Sequence, residues 1–254
     1  VSVDYYDPAI GAGISALMKP ETKVVFTESP GSNTFEMQDI PAIAKAAHER
    51  GVIVMMDNTW ATPLLFKPLD HGVDISIHAA TKYPSGHSDV LMGTVSANAR
   101  CAERLKDANL ELGLCVGGDD AYQILRGLRT MGVRLERHQE SALKLAQWLE
   151  TDPRVAQVLH PARPSFPSHS LWKRDFCCSS GIFSIVLNGG GLVDPNLNTA
   201  FARNLEIGAS GGIIRNYGGV TNLRLQGTLA GSGTLTRTDG GTTVLTGSGT
   251  AFNG

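Results

Sequence analysis

Apolar residues recur along this chain in two rhythms. Lys23–Glu28 (KVVFTE), Val52–Met56, Val73–His78 and Val90–Ala97 are short runs of strand length, rich in Val and Ile and bounded by turn formers. Between the first two, Asp39 can cap a helix, Pro41 suits its first turn, and AIAKAAHER repeats apolar side chains at helical spacing until Gly51 ends it. Strands alternating with helices predict an α/β fold with a mostly parallel, doubly wound sheet, whose ligands gather at the carboxyl ends of the strands. Further on, Asp120–Thr130 and Arg134–Thr151 read as two amphipathic packing helices, the second with Leu135, Ala142, Leu145 and Leu149 facing inward. Val155–Leu159 and Gly181–Leu187 then read as strands of a smaller α/β unit.

The rhythm changes at Gly189. Of the 29 glycines, 16 lie in the last 66 residues, where Lys, His, Cys, Met and Trp are absent. GTL at 227–229 and 233–235, SGT at 232–234 and 248–250, and LTG at 245–247 recur at short spacing. Short β-formers punctuated by Gly suit the repeated coils of a β-solenoid, and Ile213, Ile214, Leu223, Leu225, Val244 and Leu245 supply apolar positions that a linker lacks. A disordered Gly/Thr linker is the competing reading.

Composition narrows the partners. With 22 Lys+Arg against 24 Asp+Glu the formal net charge is -2, so there is no basic field for nucleic acid and no polybasic run for a membrane surface. No apolar stretch approaches a membrane span, and Val1–Asp4 has neither a basic nor an apolar signal region. A small-molecule substrate is expected. Cys101, Cys115, Cys177 and Cys178 form no C-x-x-C pair and no zinc pattern, so no metal site is expected; they read as reduced and mostly packed, in a cytoplasmic protein. The adjacent Cys177 and Cys178 make a poor disulfide because neighbouring Cβ vectors point apart.

Two stretches carry chemistry: MMDNTWATP at 55–63 and SIHAATKYPSGHSD at 76–89. Each ends a strand-like run, one on Asp57 and the other on Thr81 and Lys82. A fixed anion and an amine nucleophile 25 residues apart, one strand crossover, meet the needs of pyridoxal phosphate: a carboxylate keeps the pyridine nitrogen protonated, and a lysine holds the cofactor covalently. Thr81 offers a hydroxyl to the phosphate. Alone, an Asp at a strand end is more often a turn former and a Lys is usually solvated. His78 and His87 read as core or turn residues, Trp60 as packing near the cofactor, and Trp148 and Trp172 as structural.

From Asp4 to about Leu187 the chain resembles the Cys/Met-metabolism family of pyridoxal-phosphate enzymes, and within it the bacterial cystathionine β-lyase branch. The matching text includes YYDPAIGAGI (5–14), VVFTESPGSNTFEMQDIPAIA (24–44), MMDNTWATPLLFKPLDHGVDISIHAATKYPSGHSD (55–89), GLRTMGVRLERHQESALKLAQWL (127–149), WKRDF (172–176) and SSGIFSIVL (179–187). The resemblance implies part of a fold type I domain, with Lys82 as Schiff-base lysine, Asp57 as partner of the pyridine nitrogen and Thr81 as phosphate ligand. It implies a carbon–sulfur lyase that splits cystathionine into homocysteine, pyruvate and ammonia, in a homotetramer. γ-Lyase or γ-synthase activity is the alternative within the family; a non-catalytic fusion remnant or a surface β-helix protein is the alternative outside it. The chain is expected to begin after the family's Gly-rich phosphate loop and stacking Tyr, which leaves Tyr5 and Tyr6 as packing residues of an aromatic-Asp-Pro strand, and to lack the carboxylate-clamping Arg. Arg237, in GSGTLTRTDGG (231–241), imitates that clamp without its surroundings. Impaired or absent activity is therefore expected. The expected units are 1–131, part of the large cofactor-binding domain; 132–188, a linking helix and the start of the small domain; and 189–254, an unrelated tail resembling an autotransporter passenger β-helix.

Overall fold

The computed structural model describes residues 2–187 throughout and, beyond them, the backbone of nine short strands. Four strands form the first sheet: β1 (Val24–Glu28), β2 (Ile53–Asp57), β3 (Ile75–Ala79) and β4 (Gly93–Ala97), in that spatial order. β1, β2 and β3 are parallel, with Glu28 beside Asp57 and Asp57 beside Ile77. β4 runs antiparallel to β3. Residues 80–92 hold turns instead of a crossover helix, and without one the chain comes back alongside the strand it has just left.

Helix α1 (Ile40–Glu49) starts where the sequence indicates, with the Asp39 carboxylate accepting the Ala42 N–H at 3.2 Å, and Gly51 at φ 72° supplies the left-handed residue after its end. Its Ile43 and Ala47 join Val54 and Met56 of β2 in a core where all four are fully buried. That face of the sheet is sealed by apolar burial, about 1.5–3 kcal/mol for each large side chain. A short helix α2 (Thr62–Leu65) and a 3-10 turn (Pro68–His71) lead into β3. Helix α3 (Ala102–Glu111) buries none of its side chains, whereas α4 (Gly118–Leu149) buries Ile124, Gly127, Met131, Leu135, Ala142 and Ala146, a stripe at helical spacing. β5 (Val155–Leu159) pairs with β6 (Ser184–Leu187), and α5 (His169–Asp175) lies between them in sequence.

The chain divides into two compact units, Val1–Trp148 with Val158–Ser184, and Leu149–Gln157 with Ile185–Gly254. In the second unit, β7 (Gly191–Val193), β8 (Ala200–Phe201), β9 (Leu205–Ile207), β10 (Gly212–Arg215), β11 (Asn222–Leu225), β12 (Leu229–Gly231), β13 (Leu235–Thr238), β14 (Thr242–Leu245) and β15 (Ala251–Phe252) form three parallel ladders. Their orders are β13-β10-β7, β14-β11-β8 and β15-β12-β9. Every third strand pairs, so Leu192, Ile213 and Thr236 stand side by side, the connectivity of a three-sided coil repeating about every 22 residues.

Several sequence expectations are corrected. The two helices expected at 120–130 and 134–151 are one 32-residue helix, because Gly132, at about 1 kcal/mol against Ala, weakens a helix without stopping it as Pro would. Leu145, expected inward, is 47% exposed. Residues 5 and 6 are not in a strand: Tyr5 is 94% exposed, while Tyr6 is part-buried, its hydroxyl donating to the Phe26 carbonyl at 3.0 Å and hydrogen-bonded to Gln38 Oε1 at 2.9 Å. A 3-10 segment, Pro8–Leu17, follows them, capped by Asp7. The cysteines are not mostly packed; Cys101 is buried, Cys178 is intermediate, and Cys115 and Cys177 are exposed, all four free.

Candidate active site

The carboxyl ends of β1, β2 and β3 lie side by side, so the last residues of these strands share one rim. Asp57 closes β2, half-buried, with its Oδ1 accepting the Thr59 N–H at 2.8 Å. That bond turns the chain sharply after the strand, and two more pin the turn to β3: Asn58 N–H to the Ile77 carbonyl at 2.8 Å and Ala79 N–H to Thr59 Oγ1 at 2.9 Å. Asp57 is thereby fixed in position. Its charge reaches its neighbours: burial raises the Glu28 carboxyl above its ordinary range and Asp57 adds to the rise. At His78, buried on β3, burial lowers the imidazole and Asp57 partly opposes it.

Thr81 and Lys82 lie in the turn that follows β3. Lys82 N–H donates to the Ala79 carbonyl at 2.9 Å, Ser85 Oγ to the Thr81 carbonyl at 2.7 Å, and Gly86 N–H to the Lys82 carbonyl at 2.8 Å, a helix-like coil that holds the lysine's backbone. The Lys82 side chain is exposed and has no hydrogen bond or ion pair among the described residues. Thr81 Oγ1 accepts the Met92 N–H at 2.9 Å and donates to the Met92 carbonyl at 3.3 Å, so its proton would have to turn away from Met92 to reach a phosphate oxygen. His87 closes the same turn, its Nδ1 2.7 Å from the Ser85 carbonyl oxygen.

The turn is docked on α4 by residues that the sequence pattern did not single out. Arg134 Nη2 donates to the carbonyls of Tyr83 at 2.7 Å and Gly127 at 2.9 Å. Gly127 presses on the carbonyls of Pro84 and Ser85 so closely that a Cβ there would collide with them. A single glycine on the buried stripe of an otherwise regular helix was the available signal. Tyr83 is buried, and its hydroxyl accepts the Gly181 N–H at 3.3 Å. Trp60 donates from Nε1 to the Ile182 carbonyl at 3.0 Å and meets Phe176 edge-on, which ties the 179–182 segment to the loop after Asp57.

Asp57 and Lys82 thus sit at the carboxyl ends of adjacent parallel strands, where α/β sheets bind ligands. Glu28 was missed, although it ends β1 as Asp57 ends β2. Two carboxylates side by side, with no Lys or Arg in an ion pair with either among the described residues, leave a negative rim suited to a cationic ring nitrogen. Asn58 Oδ1, buried without a partner, adds an unused acceptor next to it. This donor and acceptor set fits pyridoxal phosphate.

Comparison with known proteins agrees. The Cys/Met metabolism PLP-dependent enzyme family matches residues 1–223. A Rhizobium johnstonii protein provisionally named cystathionine β-lyase is 71% identical over 191 residues, 75% of this chain and 48% of that protein. The Salmonella typhimurium cystathionine β-lyase is 53% identical over 190 residues, 74% of this chain and 48% of its own length. The crystal structure of cystathionine γ-lyase from Lactobacillus plantarum, complexed with L-serine, superposes with a TM-score of 0.67 at 31% identity, covering 70% of this chain and 47% of that one. The chain spans about half the length of the curated relatives it matches. The family match runs past residue 189 into the ladder strands. Matched over most of its length, and sharing the fold type I architecture of these enzymes, the chain belongs to the Cys/Met metabolism PLP-dependent enzyme family.

Proposed function

We propose that this protein carries the cofactor-holding half of a carbon–sulfur lyase acting on cystathionine, with Lys82, Asp57 and Thr81 as its site residues. The observation that carries the reading is Lys82, an exposed amine without a partner among the described residues, on a hydrogen-bonded turn next to the strand end that fixes Asp57. Bound pyridoxal phosphate would supply an electron sink for the substrate's Cα–H bond electrons. Asp57 would hold the proton on the ring nitrogen, and Thr81 Oγ1 would donate to the phosphate. Lys82 Nζ would take the Cα proton and return one to the departing sulfur as the Cβ–S bond breaks, releasing homocysteine, and one water would hydrolyse the remaining three-carbon fragment to pyruvate and ammonia. Incubation with pyridoxal phosphate, borohydride reduction and peptide mapping should place the label on Lys82, and Lys82→Ala should abolish it; an unlabelled Lys82 refutes the assignment.

The likeness to the γ-lyase structure supports a second reading, cleavage on the γ side. Release of 2-oxobutyrate instead of pyruvate from cystathionine would select it. We place the unit boundaries at about 131 and 188, with the ladder strands as a separate solenoid resembling an autotransporter passenger β-helix. Four free cysteines support a reducing, cytoplasmic setting; the homotetramer rests on the family resemblance alone. No helix among the described residues is long and apolar enough to cross a membrane.

A further inference from the structure

Cys177 and Cys178 play no part in the site described above, yet the structure holds them with unusual care. Four consecutive residues have their backbone tied down: Phe176 N–H donates to the Trp172 carbonyl at 2.9 Å, Cys177 N–H to the Leu65 carbonyl at 3.3 Å, Trp172 Nε1 to the Cys178 carbonyl at 3.1 Å, and Ser179 N–H to Gln139 Oε1 at 2.6 Å. Phe176 anchors the stretch, stacked on Phe66 with ring centroids 4.6 Å apart. The chain bends at both cysteines, so the pair is not on an extended strand, whose alternation would send successive side chains to opposite faces. Cys177 is exposed, with Sγ 3.4 Å from the Leu64 carbonyl and 3.6 Å from the Leu65 carbonyl, weak contacts that a ligand can replace. Cys178, the next residue, is partly covered; burial pushes its thiol up, and the neighbouring Cys177 thiol pushes it further.

We propose that Cys177 and Cys178 form a two-sulfur binding site for soft, thiophilic trivalent arsenic compounds. A direct disulfide is the poorer product, because adjacent Cα atoms are about 3.8 Å apart whereas disulfides favour about 4.4–6.8 Å. A bridging arsenic atom lets the sulfurs stay further apart. With an organoarsenic(III) oxide, two S–H bonds and the arsenic–oxygen bond are exchanged for two arsenic–sulfur bonds and one water; arsenic stays trivalent and no redox partner is needed. Exposed Cys177 reacts first, and Cys178, adjacent in the chain, closes the ring as an intramolecular step.

Phenylarsine oxide tests this on the full chain by intact-mass and peptide mapping. The parent should bind one equivalent on the peptide carrying 177 and 178, resist excess monothiol, and release it to a dithiol. The Cys101→Ser/Cys115→Ser double variant should behave as the parent. Cys177→Ser or Cys178→Ser, with far-UV circular dichroism matching the parent, should lose retention by about 100-fold or more, the advantage of a second linked contact. Undiminished retention in either single variant, or arsenic mapped away from this peptide in the parent, would overturn the proposal. The parent mapping decides the matter even where a variant does not fold.

Discussion

Asp74 sits at the opposite end of β3 from the lysine turn, and replacing it with alanine should destabilise the first unit more than any other single carboxylate. The side chain is 1% exposed and joins three segments: Oδ2 accepts the Val54 N–H and faces His48 Nε2, both at 2.9 Å, and Oδ1 accepts from Asn98 Nδ2 at 2.9 Å, with Arg100 at 3.7 Å. Removing it leaves the buried Val54 N–H without an acceptor, about 1–3 kcal/mol, and takes away two bonds whose partners can partly rehydrate, about 1 kcal/mol each. The total, about 4 kcal/mol, matches the usual cost of breaking a buried charged cluster. At about 2–4 °C per kcal/mol for a chain of this size, Tm should fall by about 8–16 °C. Thermal unfolding of Asp74→Ala against the parent at pH 7 measures it, and a fall under about 3 °C refutes the reasoning. The acid limb provides a second check. Burial alone would raise the Asp74 carboxyl, but the Val54 N–H, Asn98 and His48 together hold it below the ordinary range. A depressed folded value means the stabilisation is complete above the unfolded value near about 3.9 and is lost as pH falls through the folded one. The gap between parent and variant should therefore close in acid.

Other perturbations act at the site itself. Asp57→Asn keeps shape and removes the fixed anion, so the pyridoxal phosphate concentration needed for half-maximal borohydride labelling of Lys82 should rise by about 10-fold or more, the cost of one lost charge-assisted contact. Gly127→Ala drives a Cβ into the Pro84 and Ser85 carbonyls; a loss of about 1–3 kcal/mol in thermal unfolding and reduced labelling of Lys82 are expected. Glu28 has a raised folded value, so the folded state holds its proton more tightly and stability falls as pH rises through that range. Glu28→Gln should accordingly raise Tm at pH 7–8 and change it little at pH 4.

What could be read from the sequence was what a single segment encodes. β1, β2 and β3 lie within two residues of their apolar runs, and α1 begins and ends on the Asp39 and Gly51 signals, because burial and capping are local. The direction of β4 was not legible, since it depends on whether residues 80–92 coil into a crossover helix. Continuity of α4 through Gly132 was not legible either, because packing of Met131 and Leu135 against the core outweighs one poor helix former.

The site divides along the same line. Asp57 and Lys82 could be singled out as candidates because their chemistry is written into residues at or just after strand ends, whereas their support comes from far away in sequence. Arg134 and Gly127 reach the lysine turn from α4, and Glu28 reaches Asp57 only through the parallel register of β1 with β2. That register gives the rim its character. Because Glu28 and Asp57 are paired residues on adjacent strands, burial around Glu28 and then the Asp57 charge beside it raise the Glu28 carboxyl. In the proposed function Asp57, held by the Thr59 N–H, would serve the ring nitrogen while its neighbour sets the field around it. Glu28→Gln should keep Asp57's role and its labelled lysine; Glu28→Lys, which would offer Asp57 a cation of its own, should compete with the cofactor and raise the pyridoxal phosphate concentration needed for half-maximal labelling.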